Sequence, residues 1–268
     1  TELLESNNDK TDFFDKNFRL VFNLKKIYLD KANSTNNLKG FLSLKENKIT
    51  EVNLESEFSS KKKITFTIKT TDNDEKITTL FSSNAKPLVD RYKFIKGFNE
   101  GALDFYSIKK NNETKSLLKI YDFKLKELPA LTKILTLASL QGIADLLSGE
   151  GIRFNEFEMS FTNKNNLMTI NEIYAIGPAI SILMEGYIEK KELISLRGTL
   201  VPATTINKTI SSIPILGSIL VGKKTGEGVF GVSFKIKGPP NNLETSVNPI
   251  KTLTPRFITR TLEKIKKN

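Results

Sequence analysis

The chain has 268 residues, 38% hydrophobic and 26% charged, a balance that fits a soluble protein with a sizeable core and excludes a disordered chain or a helical integral membrane protein. It contains no Cys, Trp or His, so disulfides, thiolate metal sites, haem and His-dependent acid–base chemistry lose their usual groups, and no enzyme, metal or cofactor is expected. The formal charge of +11 is uneven: from Val201 onward eleven Lys and Arg stand against three Glu, a basic end that suits acidic protein, nucleic acid or anionic headgroups, or is a solvated face.

The chain starts at Thr1 without initiator Met, charged n-region or apolar h-region, which suggests a segment processed or excised from something longer. The most apolar stretches, 134–147 and 206–221, are shorter than the roughly 20 residues of a spanning helix and carry Asp145 and Pro214.

Period-two alternation dominates the amino-terminal part, the signature of strands with one apolar face. Leu20, Phe22 and Leu24 form the first run and Leu38, Gly40, Leu42 and Leu44 the second. A turn at Asn47 and Lys48 leads to Val52 and Leu54; Ile64, Phe66 and Ile68 follow, and the polar cluster at 71–74 turns the chain into 77–81. Residues 1–83 therefore read as a run of antiparallel hairpins.

Helical spacing interrupts the strands four times. A helix near 84–96 has Asn84 as its cap and Gly97 as its stop. A second over 129–147 places Leu131, Ile134, Leu135, Ala138, Ile143 and Leu146 on one side, with Pro129 at its start and Gly149 past its end. The segment 206–221 is apolar but broken by Pro214 and Gly217 into two kinked turns, and 255–266 predicts a basic amphipathic terminal helix.

Between the second and third helices the alternation is clearest. Phe157, Met159 and Phe161 share one face, as do Ile180, Ile182 and Met184, then Ile194, Leu196 and Leu200, and finally Phe230, Val232, Phe234 and Ile236. Turn-like connectors at 163–166 and 189–191 make these four strands sequential antiparallel neighbours, with 206–221 inserted before the last. The fold expected is mainly β with a few short helices: a long, curled, trough-like antiparallel meander with helical caps. Its apolar face is either packed on helices or left open as a groove, and an open apolar face of more than a few hundred Å² marks an interaction site.

The small motifs point to architecture. Gly149-Glu150-Gly151 and Gly226-Glu227-Gly228 precede no helix in a strand–turn–helix unit, so both read as strand-entry turns or bulges rather than phosphate loops. Gly177-Pro178 and Gly238-Pro239 punctuate strands, and Asp104, Asp122, Glu156 and Glu158 read as solvated carboxylates.

The block 137–254 resembles the carboxy-terminal region of the AsmA-like proteins, especially the YhdP-type branch of Gram-negative bacteria. The residues that carry the resemblance are Leu137-Ala138-Ser139-Leu140, Gly149-Glu150-Gly151-Ile152-Arg153-Phe154, Gly177-Pro178-Ala179, Gly186, Leu196-Arg197-Gly198-Thr199-Leu200-Val201-Pro202-Ala203, Ile213-Pro214-Ile215-Leu216-Gly217, Gly226-Glu227-Gly228, Gly238-Pro239 and Val247-Asn248-Pro249. A weaker likeness extends over 84–101 and 119–128, while the basic, Asn-rich turns depart from the family's pattern.

What the resemblance implies is a two-part organisation, 1–83 continuing a longer repeated sheet and 84–268 forming the AsmA-like carboxy-terminal region. The implied protein is periplasmic, held in the inner membrane by a segment outside this chain, and carries phospholipid toward the inner leaflet of the outer membrane along an apolar groove. Phe157, Met159, Phe161, Ile180, Ile182, Met184, Ile194, Leu196, Phe230, Val232, Phe234 and Ile236 are the groove candidates. Arg153 and Arg197, each inside an otherwise apolar strand, are either ordinary outward-facing residues or partners of a lipid phosphate; Lys223 and Lys224 flank an element that either caps the sheet or dips into a membrane. The alternative is a non-enzymatic envelope scaffold or assembly module that binds a protein partner through its sheet edges. Nucleic-acid binding is not expected, because the basic residues accompany no recognition motif. The sequence leaves the oligomeric state open.

Overall fold

The computed structural model describes residues 17–46, 48–91, 97–126, 128–190, 192–202 and 231–250. Its strands are β1 (Phe18–Tyr28), β2 (Ser34–Lys45), β3 (Lys48–Phe58), β4 (Lys63–Thr70), β5 (Lys76–Ser82), β6 (Asn99–Lys110), β7 (Glu113–Leu125), β8 (Ile152–Lys164), β9 (Leu167–Ile176), β10 (Ile180–Glu189), β11 (Leu193–Pro202), β12 (Gly231–Gly238) and β13 (Glu244–Ile250). The helices are α1 (Lys86–Val89), α2 (Pro129–Leu137) and α3 (Gln141–Ser148). All thirteen strands form one antiparallel sheet in which neighbours in sequence are neighbours in space. The mainly β meander with short helices is thus the fold; the sheet is at most weakly curled, and β1 and β13 are its outermost described strands. Because β5 pairs with β6, the ladder is continuous across positions 83 and 84.

Short polar side chains set the turns. After β1 the Asp30 carboxylate accepts hydrogen bonds from the backbone N–H groups of Ala32 and Asn33, both at 2.7 Å. Asn111 (φ 51°) and Asn165 (φ 54°) occupy the links after β6 and β8, where left-handed backbone matches the strand twist and Asn tolerates it better than most residues. In the 71–74 cluster the Thr71 N–H donates to the Glu75 carbonyl at 2.9 Å and the Asp74 N–H to the Thr71 carbonyl at 3.0 Å.

Several expectations change. The four carboxy-terminal strands are not all consecutive, because β9 stands between the first and second of them. A register shift at Ser160 and Phe161 puts Ile170 and Ile173, three residues apart, on one face, and so hides the alternation of β9. Strands β6 and β7 carry apolar residues on both faces, Phe105 and Leu118 on one and Tyr106 and Leu117 on the other, which removes the period-two signal.

Asn84 does not cap α1: the cap position is Ala85, without a side-chain cap bond, and the Asn84 carbonyl instead accepts from the Ser82 hydroxyl at 2.7 Å. The single helix over 129–147 is two, because Ser139 adopts φ 58° and the Leu140 N–H reaches back to the Leu135 carbonyl at 2.8 Å, a left-handed stop made by a serine instead of the usual glycine. The helix expectations for 206–221 and 255–266 lie outside the described residues, as does Gly226-Glu227-Gly228. Gly149 caps α3, and Gly151 (φ 91°) leads directly into β8, as a strand-entry turn should.

The helix pair lies on one face of the carboxy-terminal half of the sheet, α2 against β13 and α3 against β8. Leu131, Ile134, Leu135, Ala144 and Leu147 meet Ile152, Phe154, Ile180, Ile182, Leu200, Val232 and Phe234 in one buried cluster. Its aromatic centre is Phe123, stacked on Phe98 at 5.3 Å and on Phe154 at 5.4 Å between ring centres. Asp122 at φ 50° breaks the alternation of β7, so that Ile120 and Phe123 both reach this cluster.

Candidate functional site

Directly paired residues in an antiparallel ladder point to the same face, so the register states which side chains share a surface. One row crosses all thirteen strands: Phe22, Gly40, Leu54, Phe66, Leu80, Phe105, Leu118, Met159, Ile173, Met184, Gly198, Phe234 and Val247. Every member is apolar or glycine. At about 4.8 Å per strand step, the row runs roughly 58 Å along the sheet. Its two glycines sit where a side chain would not fit: a Cβ on Gly40 (φ 137°) would run into the Asn53 carbonyl, and one on Gly198 would meet the Phe234 ring and the Leu183 carbonyl.

Parallel rows widen the apolar face. On one side lie Leu20, Leu42, Val52 and Ile68, then the polar trio Thr78, Ser107 and Ser116, then Phe161, Ile170, Gly186, Leu196 and Ile236. On the other side Ile64 pairs with Ser82, followed by Leu103, Ile120, Phe157, Ala175, Ile182, Leu200 and Val232. The opposite face is the more polar one: its matching row reads Asn23, Lys39, Glu55, Thr65, Phe81, Asp104, Lys119, Glu158, Tyr174, Leu183, Thr199, Ser233 and Asn248, of which Phe81 is apolar and exposed and Tyr174 and Leu183 are buried.

No protein-family model, curated protein or solved structure matches this chain.

The groove candidates share the apolar face but divide by cover. Ile180, Ile182, Val232, Phe234 and Ile236 are buried in the cluster that includes the helices. Phe157, Met184 and Leu196 are partly buried against that cluster, and Met159, Phe161 and Ile194 are half-buried. Phe230, Lys223 and Lys224 lie outside the described residues. The two arginines do not converge on the apolar face. Arg197 is on the polar face, its Nη2 and Nε donating to Glu185 Oε1 at 2.8 and 3.0 Å, above a depression of about 350 Å³ that Thr199 and Ser233 also line. Arg153 is exposed and forks onto Glu100 at 3.0 and 3.3 Å. Both guanidinium charges are already matched by carboxylates.

Sequence reasoning named no site residue in β1–β4, where Val52 and Ile68 on this face are buried outside the helix-bearing cluster. Phe22, Leu42, Leu54 and Phe66 belong to the shared rows but not to the buried helix-bearing cluster. Leu20 and Leu24 on this face are each 46% exposed. The signal was present in the alternation of the first four strands; what it lacked was the register that joins those strands to the carboxy-terminal ones.

Carboxylates form no centre here. Glu158 pairs with Lys119 at 3.2 Å on the polar face, Asp104 and Asp122 are exposed, and among the described residues no group of three or more His, Cys, Asp or Glu is placed to hold a metal. Among those residues, too, no helix is long and apolar enough to cross a membrane. One cation on the apolar face is perturbed: burial, followed by repulsion from Lys109, pushes the Lys76 ammonium below the ordinary lysine value of 10.5.

Proposed function

We propose that this chain is the carboxy-terminal part of a periplasmic AsmA-like protein and that its apolar sheet face shields phospholipid acyl chains on their way between the inner and outer membranes. The observation that carries the reading is the unbroken row of apolar residues and glycine in register through thirteen strands, backed by a more polar face. Such a surface needs no catalytic group. Each methylene removed from water gains about 0.8 kcal/mol, and a one-sided sheet leaves the headgroup in solvent. The periplasmic and membrane-bridging part of the proposal rests on the resemblance of 137–254 to the AsmA-like region.

The test is purification without detergent followed by native mass spectrometry and lipid extraction. Phospholipid co-purifying in about stoichiometric amount is expected. A lipid-free protein that also fails to take up a fluorescent phospholipid would refute the reading. In that event the scaffold alternative gains from β1, the outermost described strand, on which Val21 is 77% and Tyr28 70% exposed.

A further inference from the structure

The second face of the sheet is buried at one place that the described helices do not reach. α1, α2 and α3 bury their apolar residues in the cluster on the apolar face. Behind it, Tyr174 of β9, Ser181 of β10 and Val201 of β11 are each 0% exposed, and Leu183 and Thr199 are 8% exposed. These five share the second face, and Tyr174, Leu183 and Val201 stand outside the helix-bearing cluster. A residue facing away from the core side of a single sheet loses its last accessible surface only under a second layer, about 10 Å above the strands.

The buried patch has an acidic border. Glu156 and Glu158 on β8, Glu172 on β9 and Glu185 on β10 stand around Tyr174 and Leu183 on the same face. Residues 251–268 have the matching composition, six Lys and Arg against one Glu, whereas 203–230 has three Lys against one Glu. At helical spacing Ile258, Leu262 and Ile265 make an apolar stripe with Lys264 and Lys266 at its borders. The chain leaves β13 at Ile250, which pairs with Gly231 beside Val201, so the terminal segment begins at the rim of the patch. Four strand steps of about 4.8 Å, roughly 19 Å, separate β13 from β9, and the 18 residues span about 27 Å even at helical rise.

We propose that the terminal segment 251–268 docks across the second face of β9–β11, with Ile258, Leu262 and Ile265 over Tyr174, Leu183 and Val201 and with Lys264 and Lys266 toward the carboxylate border. The carboxy-terminal half of the sheet is then covered on both faces, by α2 and α3 on one and by the end of the chain on the other. The basic end meets an acidic surface of its own molecule, in place of nucleic acid or lipid headgroups. This docking is independent of the lipid-shielding reading, which concerns the other face.

The chain has no Cys, so one engineered thiol reports on this face alone. Ser181→Cys is nearly isosteric, at a fully buried position whose hydroxyl has no hydrogen-bond partner among the described residues. In the full chain this thiol is expected to resist maleimide under native conditions, and removal of 253–268 to speed its labelling about tenfold or more. Ile258→Asp/Leu262→Asp in the full chain, with cooperative unfolding verified, is expected to give the same increase and decides the matter where the shortened chain does not fold. Lys264→Glu/Lys266→Glu is expected to give a smaller increase. Oxidation of Ser181→Cys combined in turn with Ile258→Cys, Leu262→Cys and Ile265→Cys is expected to close an intramolecular disulfide with at least one of them. Rapid labelling in the full chain, labelling unchanged in the folded variants, or no disulfide with any of the three overturns the docking. Disulfide-linked dimers without the intramolecular product overturn it in favour of a second copy of the chain on this face.

Discussion

Replacing Phe66 by Asp tests whether the long row carries acyl chains. Phe66 is half-buried on β4, paired with Leu54 and Leu80 in the row and outside the helix-bearing cluster. A strand spacing of about 4.8 Å gives each row position about four methylenes to cover. A sheet shields one side of a chain, so about half of the ~0.8 kcal/mol per methylene is available, or ~1.6 kcal/mol at this position. A carboxylate forfeits that contribution, so retained lipid should fall about tenfold. The matched control is Phe81→Asp on β5, because Phe81 is 39% exposed and belongs to the opposite face. Lipid uptake is measured by fluorescent phospholipid titration, with cooperative thermal unfolding verified for both variants. Equal loss in the two, or no loss in Phe66→Asp, would refute the assignment of the binding face.

Three further outcomes follow from the geometry. Phe123→Ala removes a ring that is 3% exposed and stacked on two others, and should cost about 3–5 kcal/mol, read as a lower denaturant midpoint at unchanged m-value. The Asp30 carboxyl is held below its ordinary value of 3.8 by the Asn33 side chain and then by the Ala32 and Asn33 backbone N–H groups. Its contribution to the first hairpin is therefore complete above the unfolded-state pKa and lost as pH falls through the folded one; Asn33→Ala should move the Asp30 NMR titration midpoint upward. Arg197→Gln breaks an exposed pair with Glu185 and should change stability by about 0–1 kcal/mol, with lipid retention unaltered.

Strand identity and face were legible wherever alternation was clean. Phe157, Met159 and Phe161, Ile180, Ile182 and Met184, and Val232, Phe234 and Ile236 fall on one face, as their period-two spacing requires. The spacing was obscured where the backbone departs from strict pleating, at the shift beside Ile170 and at the left-handed Asp122. It also failed in β6 and β7, central strands with large apolar groups such as Tyr106 and Leu117 on their second face. The polar trio Thr78, Ser107 and Ser116 within the apolar face was invisible for a different reason. Its members lie on three strands, and only the register brings them together.

The helices alone do not account for the apolar row. If its only purpose were to form a core under α1, α2 and α3, its apolar character would have no reason to persist beyond the strands those helices touch. The buried cluster and the residues packed against it begin on the sheet at Leu80 of β5, yet the row continues through Phe66, Leu54 and Gly40 to Phe22. Each of those strands alternates with polar residues, so a one-residue slip would place Thr65, Glu55, Lys39 and Asn23 on this face. Keeping the apolar set aligned there buries Val52 and Ile68 outside the cluster of the described helices and leaves Leu20 and Leu24 each 46% exposed. The glycines at 40 and 198 extend the same logic, because each meets the neighbouring strand so closely that a side chain in the row would have to displace it. On the proposed reading, the row that continues past the described helices is the strip that a flexible acyl chain follows from strand to strand.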